Sequence, residues 1–484
     1  MAKTSLKQNL ILNTVYHVLV LAVPLLTTPY LSRVLGAEGI GEYSYTYSIV
    51  SYFVLFVMLG VNTYGNRQIA VAQNDAAQRS KSFWNIYCMQ FVRCVLVTTI
   101  YVLCSLLIFC DYSELLLIWL VYLLSAGLDI TWFFFGLEQF KITVTRNTIV
   151  KLLTLIAIFL FVKTQDDLVI YVTIMAVGFL VSQLTLWMLV KKYVAFVKPS
   201  MLEMLKHLKP ELVLFIPVLA FNLYSVIGKV GLGALSSMFQ LGLYANAEKI
   251  VLVSKAVITA LGSVMLPRQS AMISENKIEK SKELLALGML LAAFISFFCM
   301  AEIAGCAEDF SPLFFGEEFA ECANILTIYV FAIPFVAFSN VIRMQYLIPS
   351  FNERVYVHAV VAAAVVSILM NVVLIPIYGA IGATIAIVCS EATVFLVQTL
   401  GTIKKLDYKR FALNSIPFVL AGIMSYLVMR VMCAWQPTDI FSLLLEIVVG
   451  ALVYFLAAFG GSFVMNKEVN SLLISLFSRK RGIK

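Results

Sequence analysis

The sequence predicts an all-α integral membrane protein with about fourteen transmembrane helices. They form two six-helix lobes related by a pseudo-twofold along the membrane normal, followed by a C-terminal helix pair. Three observations lead there: composition, the alternation of basic residues, and an internal repeat. Apolar residues make up 61% of the 484 and charged ones 13%, where soluble chains average roughly 45–50% and 25%. A chain of this composition cannot fold as a water-soluble globule.

A bilayer-crossing helix needs about 20 mostly apolar residues. Such stretches fall at roughly 10–31, 42–63, 83–108, 115–136, 147–163, 168–190, 211–231, 242–265, 284–305, 323–343, 356–375, 380–402, 413–432 and 441–465. The first is too long for a signal-peptide core, contains Pro24 and Pro29, and lacks a small-residue cleavage site. With these spans, 26 of the 35 Lys and Arg lie in the two tails and every second loop, and only Arg33 and Lys163 lie on the opposite side. The positive-inside rule then places both termini in the cytoplasm and calls for an even number of spans. The net charge of +8 is therefore a statement about topology, not about nucleic acid.

Residues 41–81 align with 242–282 at a constant offset of 201, with nine identities that include Gly41/Gly242, Tyr43/Tyr244, Arg67/Arg268 and Gln68/Gln269. Spans two and eight run the same way across the membrane, so the copies are parallel repeats, a common architecture of secondary transporters. The chain accordingly divides into an N-terminal lobe (1–195), a cytoplasmic linker (196–210), a second lobe (211–402), and a terminal pair with a basic tail (403–484). Within 191–210, Met201, Leu202, Leu205 and Leu208 recur at helical spacing, which predicts a short amphipathic helix on the inner leaflet.

Nothing in the sequence points to an enzyme or to a metal or other cofactor. HExxH, Walker and GxSxG motifs are absent, and His17, His207 and His358 are far apart. The nine cysteines show no CxxC or metal spacing; Cys306 and Cys322 flank one outer loop, where they either form a disulfide or, the favoured reading, are two free buried thiols.

Ionisable residues at membrane depth are costly and usually face a cavity or a partner. The candidates are Arg93, Asp129, Lys151, Lys229, Glu248, Lys249, Lys255, Glu302, Glu391, Arg430 and Glu446. Lys151 and Arg430 lie near span ends and can snorkel, and Glu446 belongs to the last pair, near an interface. Lys229 lies deep in span seven after Asn222, Tyr224 and Ser225, which suits a cavity wall. Glu248 and Lys249 follow Asn246 two turns into span eight and serve either as a site or as interhelical glue. Glu391 is either a proton-titrating group or an anchor. Ser44, Ser48 and Ser51 share one face of span two, bordered by Tyr47 and Tyr52. That face either lines a wet cavity or lets helices approach closely.

The stretches YLSRVLGAEGIGEYSYTYSIVSY (30–52), WFFFGLEQFK (132–141), LGLYANAEKI (241–250), GSVMLPRQS (262–270), FFGEEF (314–319) and IPIYGAIGATIAIVCSE (375–391) together resemble, in order, the bacterial polysaccharide flippases of the multidrug/oligosaccharidyl-lipid/polysaccharide exporter superfamily. The resemblance implies two lobes around a central cavity, alternating access, and transfer of polyprenyl-diphosphate-linked oligosaccharide repeat units between leaflets of the bacterial cytoplasmic membrane. Those units feed O-antigen, capsule or other surface polysaccharide, with a polymerase and chain-length machinery as partners. Members often carry Asp-Lys where this chain has Gly228-Lys229. A diphosphate needs cations and sugars need hydroxyl and amide groups. Arg33, Lys229, Lys249 and Arg93 are therefore the expected diphosphate contacts, Asn246 and Ser48 the sugar contacts, and Glu248 and Glu391 the coupling or structural acids. A drug/cation antiporter using Glu391 or Glu302, a peptidoglycan-precursor flippase, and a membrane glycosyltransferase or polymerase are the competing readings.

Overall fold

The structure, a computed structural model, describes the backbone of residues 6–465 and side chains within 23–463, and every regular element among them is helical. The first residues and the basic tail after 465 lie outside this range. The chain packs as two compact units divided after Gly233. That division falls one helix later than the repeat division near 195–211.

The first unit holds α1 (Leu6–Met58), α2 (Val61–Val71), α3 (Ala76–Leu107), α4 (Ser113–Gly127), α5 (Thr131–Gly136), α6 (Phe140–Phe161), α7 (Leu168–Val190) and nearly all of α8 (Met201–Leu235). The second holds α9 (Met238–Ser274), α10 (Ile278–Phe315), α11 (Cys322–Tyr329), α12 (Ala332–Ile342), α13 (Glu353–Thr402), α14 (Tyr408–Trp435) and α15 (Ile440–Met465).

Twelve helical segments among the described residues are long and apolar enough to cross a membrane. Two of them, Val23–Val71 and Glu353–Thr402, run to 49 and 50 residues. At 1.5 Å per residue each would measure about 75 Å, against a hydrocarbon thickness of about 30 Å. Each is also interrupted inside its long helix by a glycine in a non-helical conformation, Gly36 (φ 69°, ψ 178°) and Gly379 (φ 53°, ψ −127°). Both breaks require positive φ, which glycine adopts without a Cβ clash. Each long segment is thus two crossings, and twelve segments give about fourteen spans. The second break is also tied down, because the Ala380 N–H donates to Gln240 Oε1 at 3.1 Å.

The repeat shows in the helix boundaries of each unit. The break at Gly36 matches, 201 residues on, Ser237, whose hydroxyl accepts from the Gln240 N–H and caps α9. The turn at 72–75 before α3 matches the turn before α10. There Asp75 caps α3, accepting from the Ala77 and Gln78 N–H groups at 2.9 and 3.0 Å.

Two local features position the site residues. Residues 193–200 are strapped along α3 by the Trp84 Nε1 bond to Ala195 O (3.0 Å), the Ser200 N–H bond to Asn85 Oδ1 (3.1 Å), and Arg79 to Tyr193 O. The amphipathic segment is not a separate surface helix; it forms the first turns of α8, which runs unbroken from Met201 to Leu235. Contacts on both sides of Pro210 hold it in line, while Met201, Leu202 and Leu205 stay exposed.

Candidate functional site

In the first unit the expected cavity face of α1 is closely packed. Ser44 and Ser48 are buried, and the Ser44 and Ser51 hydroxyls donate back to the Ile40 and Tyr47 carbonyls of their own helix. The tyrosines beside them join an aromatic cluster. Tyr47 stacks on Tyr122 with ring centroids 5.8 Å apart and meets Trp119 at 5.3 Å, while Tyr43 meets Tyr171 at 4.6 Å. Trp119 Nε1 donates to Thr46 Oγ1 at 3.1 Å. Spacing of three and four residues put these groups on one face, and helix packing then filled it.

α8 lies antiparallel to the end of α1 and to α2 along a stripe that recurs at helical intervals. Tyr64 Oη and His207 Nδ1 share a hydrogen bond of 2.6 Å, and Phe215 meets Phe56 with centroids 5.6 Å apart. Between them Gly60 (φ 81°) sits against α8 so closely that a Cβ there would lie 2.9 Å from the Glu211 carbonyl oxygen. Glu211, fully buried, accepts from Arg93 Nη1 at 2.5 Å, and Arg93 Nε donates to Val57 O at 3.2 Å. This guanidinium, expected to meet a diphosphate, already faces a carboxylate. His207 lies outside the membrane-spanning part of α8, and its burial pushes the imidazole below its ordinary pKa.

Of the other expected contacts in this unit, Arg33 is exposed just before the Gly36 break, its Nη1 donating to Pro29 O at 3.0 Å. Lys229 is half-buried in the last turns of α8, four residues before Gly233, which packs against the Tyr45 ring.

In the second unit α9 carries the expected residues on adjoining faces. Lys249 Nζ donates to Asn246 Oδ1 at 3.0 Å, with Asn246 fully buried and Glu248 and Lys249 half-buried. Two turns further on, Lys255 Nζ meets Glu391 Oε1 of α13 at 2.9 Å and lies 5.4 Å from the centroid of the Tyr329 ring. Tyr329 stacks on Tyr244 at 5.8 Å. The structure thus joins Asn246 to Lys249 and Glu391 to Lys255. Cys306 and Cys322 are both free thiols, and Cys322 Sγ lies 3.3 Å from Leu243 O.

Sequence reading missed Glu211 and Tyr329. Glu211 carried one usable signal, its four-residue spacing from His207 and Phe215. Tyr329 carried none, since its partners Tyr244 and Lys255 come from another helix, α9.

The sequence profile of the family described as "Polysaccharide biosynthesis protein" matches residues 6–273, more than half of the chain. The chain belongs to that family. The protein named "Putative O-antigen transporter" in Escherichia coli (strain K12) is 25% identical over 403 residues, covering 81% of this chain and 95% of that one. A protein of the same name from Shigella dysenteriae is 24% identical over 398 residues, covering 81% and 98%. Among solved structures, the lipid II flippase MurJ in an inward closed conformation has a similar fold. Its TM-score is 0.74 at 14% identity, with 93% of this family member and 98% of that chain covered. An inward-facing multidrug resistance MATE family transporter gives a TM-score of 0.59 at 15% identity, covering 85% and 94%. The family member is a multi-pass membrane protein.

Proposed function

We propose that the protein is a flippase. It moves polyprenyl-diphosphate-linked oligosaccharide repeat units from the inner to the outer leaflet of the bacterial cytoplasmic membrane by alternating access, for surface polysaccharide assembly. The observation that carries this reading is the near full-length likeness to two proteins named as O-antigen transporters, within a family of polysaccharide biosynthesis proteins. The fold shared with a protein named as a lipid II flippase supports it. In this reading both termini are cytoplasmic, the lobes 1–195 and 211–402 rock against each other, and the polymerase and chain-length machinery take over the product.

Lys229 and Lys249 are the proposed diphosphate contacts, with Asn246 and Ser48 offering amide and hydroxyl groups to sugars and Arg33 a cation for the arriving or leaving headgroup. Two phosphates buried in a low-dielectric interior need cationic donors, and a lysine offers three. Arg93 has a carboxylate partner, and its proposed part is to hold α8 where Lys229 works. Glu248 and Glu391 are coupling or structural acids, and the Lys255–Glu391 pair favours the structural part for Glu391.

Deleting the gene should make lipid-linked repeat units accumulate on the inner leaflet, and Lys229→Ala should do the same with normal protein in the membrane. Normal polysaccharide with lost drug resistance would instead establish the antiporter reading. Accumulation of peptidoglycan precursor would establish the other flippase. A separate polymerase gene beside this one removes the enzyme reading.

A further inference from the structure

Away from the residues proposed for translocation, α10, α14 and α15 bring together acids that no repeat pattern announced. α10 turns Glu302, Cys306 and Asp309 toward the terminal helix pair, and all three are buried. Glu446 of α15 is 0% exposed, and no hydrogen-bond donor reaches either of its carboxylate oxygens. Asp309 is 5% exposed; Oδ1 accepts from Thr438 Oγ1 at 3.3 Å and Oδ2 has no donor. Cys433 of α14 completes the group. One ligand atom each from Asp309, Cys433 and Glu446 lies within 4.8 Å of the others.

The charge around this trio is one-sided. Glu302 stands deeper, its Oε1 accepting from Ser425 at 3.3 Å and its Oε2 without a donor. Glu308 is taken up by Arg430 at 2.7 Å, and Asp439 caps α15 through the Ser442 N–H at 2.8 Å. Among the described residues, five acids on these three helices and their loop thus stand near a single base, Arg430. An ionised carboxylate buried without a donor costs many kcal/mol, so the group either takes up a proton or is held with a positive charge beside it. Here Glu446, with no donor, and Asp309, with one, face the same point, together with a thiol.

We propose that Asp309, Glu446 and Cys433 form a binding site for one divalent cation of the zinc class. Zinc takes carboxylate oxygen at about 2.0–2.2 Å and thiolate sulfur at about 2.3 Å, so ligands sharing one ion lie roughly 3.4 Å apart. The spacing of the trio needs only small side-chain adjustments to reach that. Two carboxylates and a thiolate suit a borderline-soft ion, whereas a thiol is a poor ligand for sodium, magnesium or calcium. Binding releases the thiol proton, leaves the trio one negative charge from neutrality, and ties α10 to the α14–α15 hairpin. The three ligands are separated by 124 and 13 residues, so no motif scan would join them.

The test uses the full-length protein, purified in detergent and stripped of metal with a chelator. Adding zinc should slow alkylation of Cys433, followed by site-resolved mass spectrometry, at least about tenfold, and should raise the thermal unfolding midpoint. Sodium should do neither. Asp309→Asn and Glu446→Gln should each abolish the protection. Equal alkylation of wild-type Cys433 with and without zinc overturns the site, whether or not the variants fold. So does protection that survives in both variants. Neither result bears on translocation, which is scored by lipid-linked sugars.

Discussion

The two copies of the repeat, 41–81 and 242–282, share a scaffold and differ in what the scaffold holds. Both set the same tyrosine against another tyrosine, Tyr43 against Tyr171 and Tyr244 against Tyr329. Four residues later they part. The first copy has Tyr47 and Ser48, packed into a cluster with Trp119 and Tyr122. The second has Glu248 and Lys249, with Lys249 on Asn246 and, a little further along, Lys255 on Glu391. Downstream the backbones differ as well. The first copy breaks at Leu59 (φ 38°) and Gly60 (φ 81°), where α8 crosses, whereas α9 is a single helix through the matching positions. Duplicated packing positions kept their residue types, and the positions beside them became free to diverge into aromatic filler on one side and charge on the other.

The largest effect should come from testing that divergence directly. If charge in the second copy carries the diphosphate, Lys249→Ala reduces surface polysaccharide to near the deletion level, while Ser48→Ala in the first copy leaves most of it. Immunoblotting of membranes and of the polysaccharide would read both. Comparable losses in the two variants would show that the copies share the load and that the asymmetry is packing alone.

Much of the fold could be read from the chain, because membrane physics leaves so few options. Backbone groups in hydrocarbon must bond within their own helix, so apolar length and loop charge nearly fix the number of spans. The blocks that carried the family resemblance turn out to be close contacts. Trp132 of WFFFGLEQFK lies over Gly65, where a Cβ would come within 2.5 Å of the ring, and Gly379 of IPIYGAIG is the second helix break. What the chain could not reveal were partners from distant helices. Arg93 looked like a cation in want of a ligand because nothing local marks Glu211 as its mate across 118 residues. Glu446 looked interfacial because its burial depends on α10 and α14. The serine face of α1 had the right period for a cavity, but periodicity alone does not distinguish water from another helix.

The next prediction concerns the pair that fixes α8. Breaking a buried ion pair by removing one partner typically costs about 3–5 kcal/mol, because the other charge is left buried and alone. Glu211→Ala should therefore lower the unfolding midpoint of the detergent-solubilised protein far more than Ser48→Ala. The double variant Arg93→Met/Glu211→Leu should recover much of the loss. No recovery would mean that the pair does more than satisfy itself, for instance by fixing α8 in one of two positions.

The smallest effect separates the copies by pH. Tyr64 in the first copy meets His207, whereas its counterpart 201 residues on, Met265, meets the non-titrating Gln345 at 3.0 Å. Burial lowers the His207 pKa, so the folded state prefers the neutral ring. The stabilising contribution is complete above the ordinary imidazole value of about 6.5 and is lost as pH falls through the lower folded value. Acidification from about pH 7.5 to about pH 5.5 should therefore speed hydrogen exchange at the start of α8 and around Tyr64 in α2, and leave the stretch of α9 that matches Tyr64, around Met265, unchanged. His207→Gln, which keeps a polar partner for Tyr64 but cannot charge, should remove the pH dependence. An equal response in α9 would mean that the effect is global, and that the Tyr64–His207 contact does not set the stability of the helix joining the linker to the first unit.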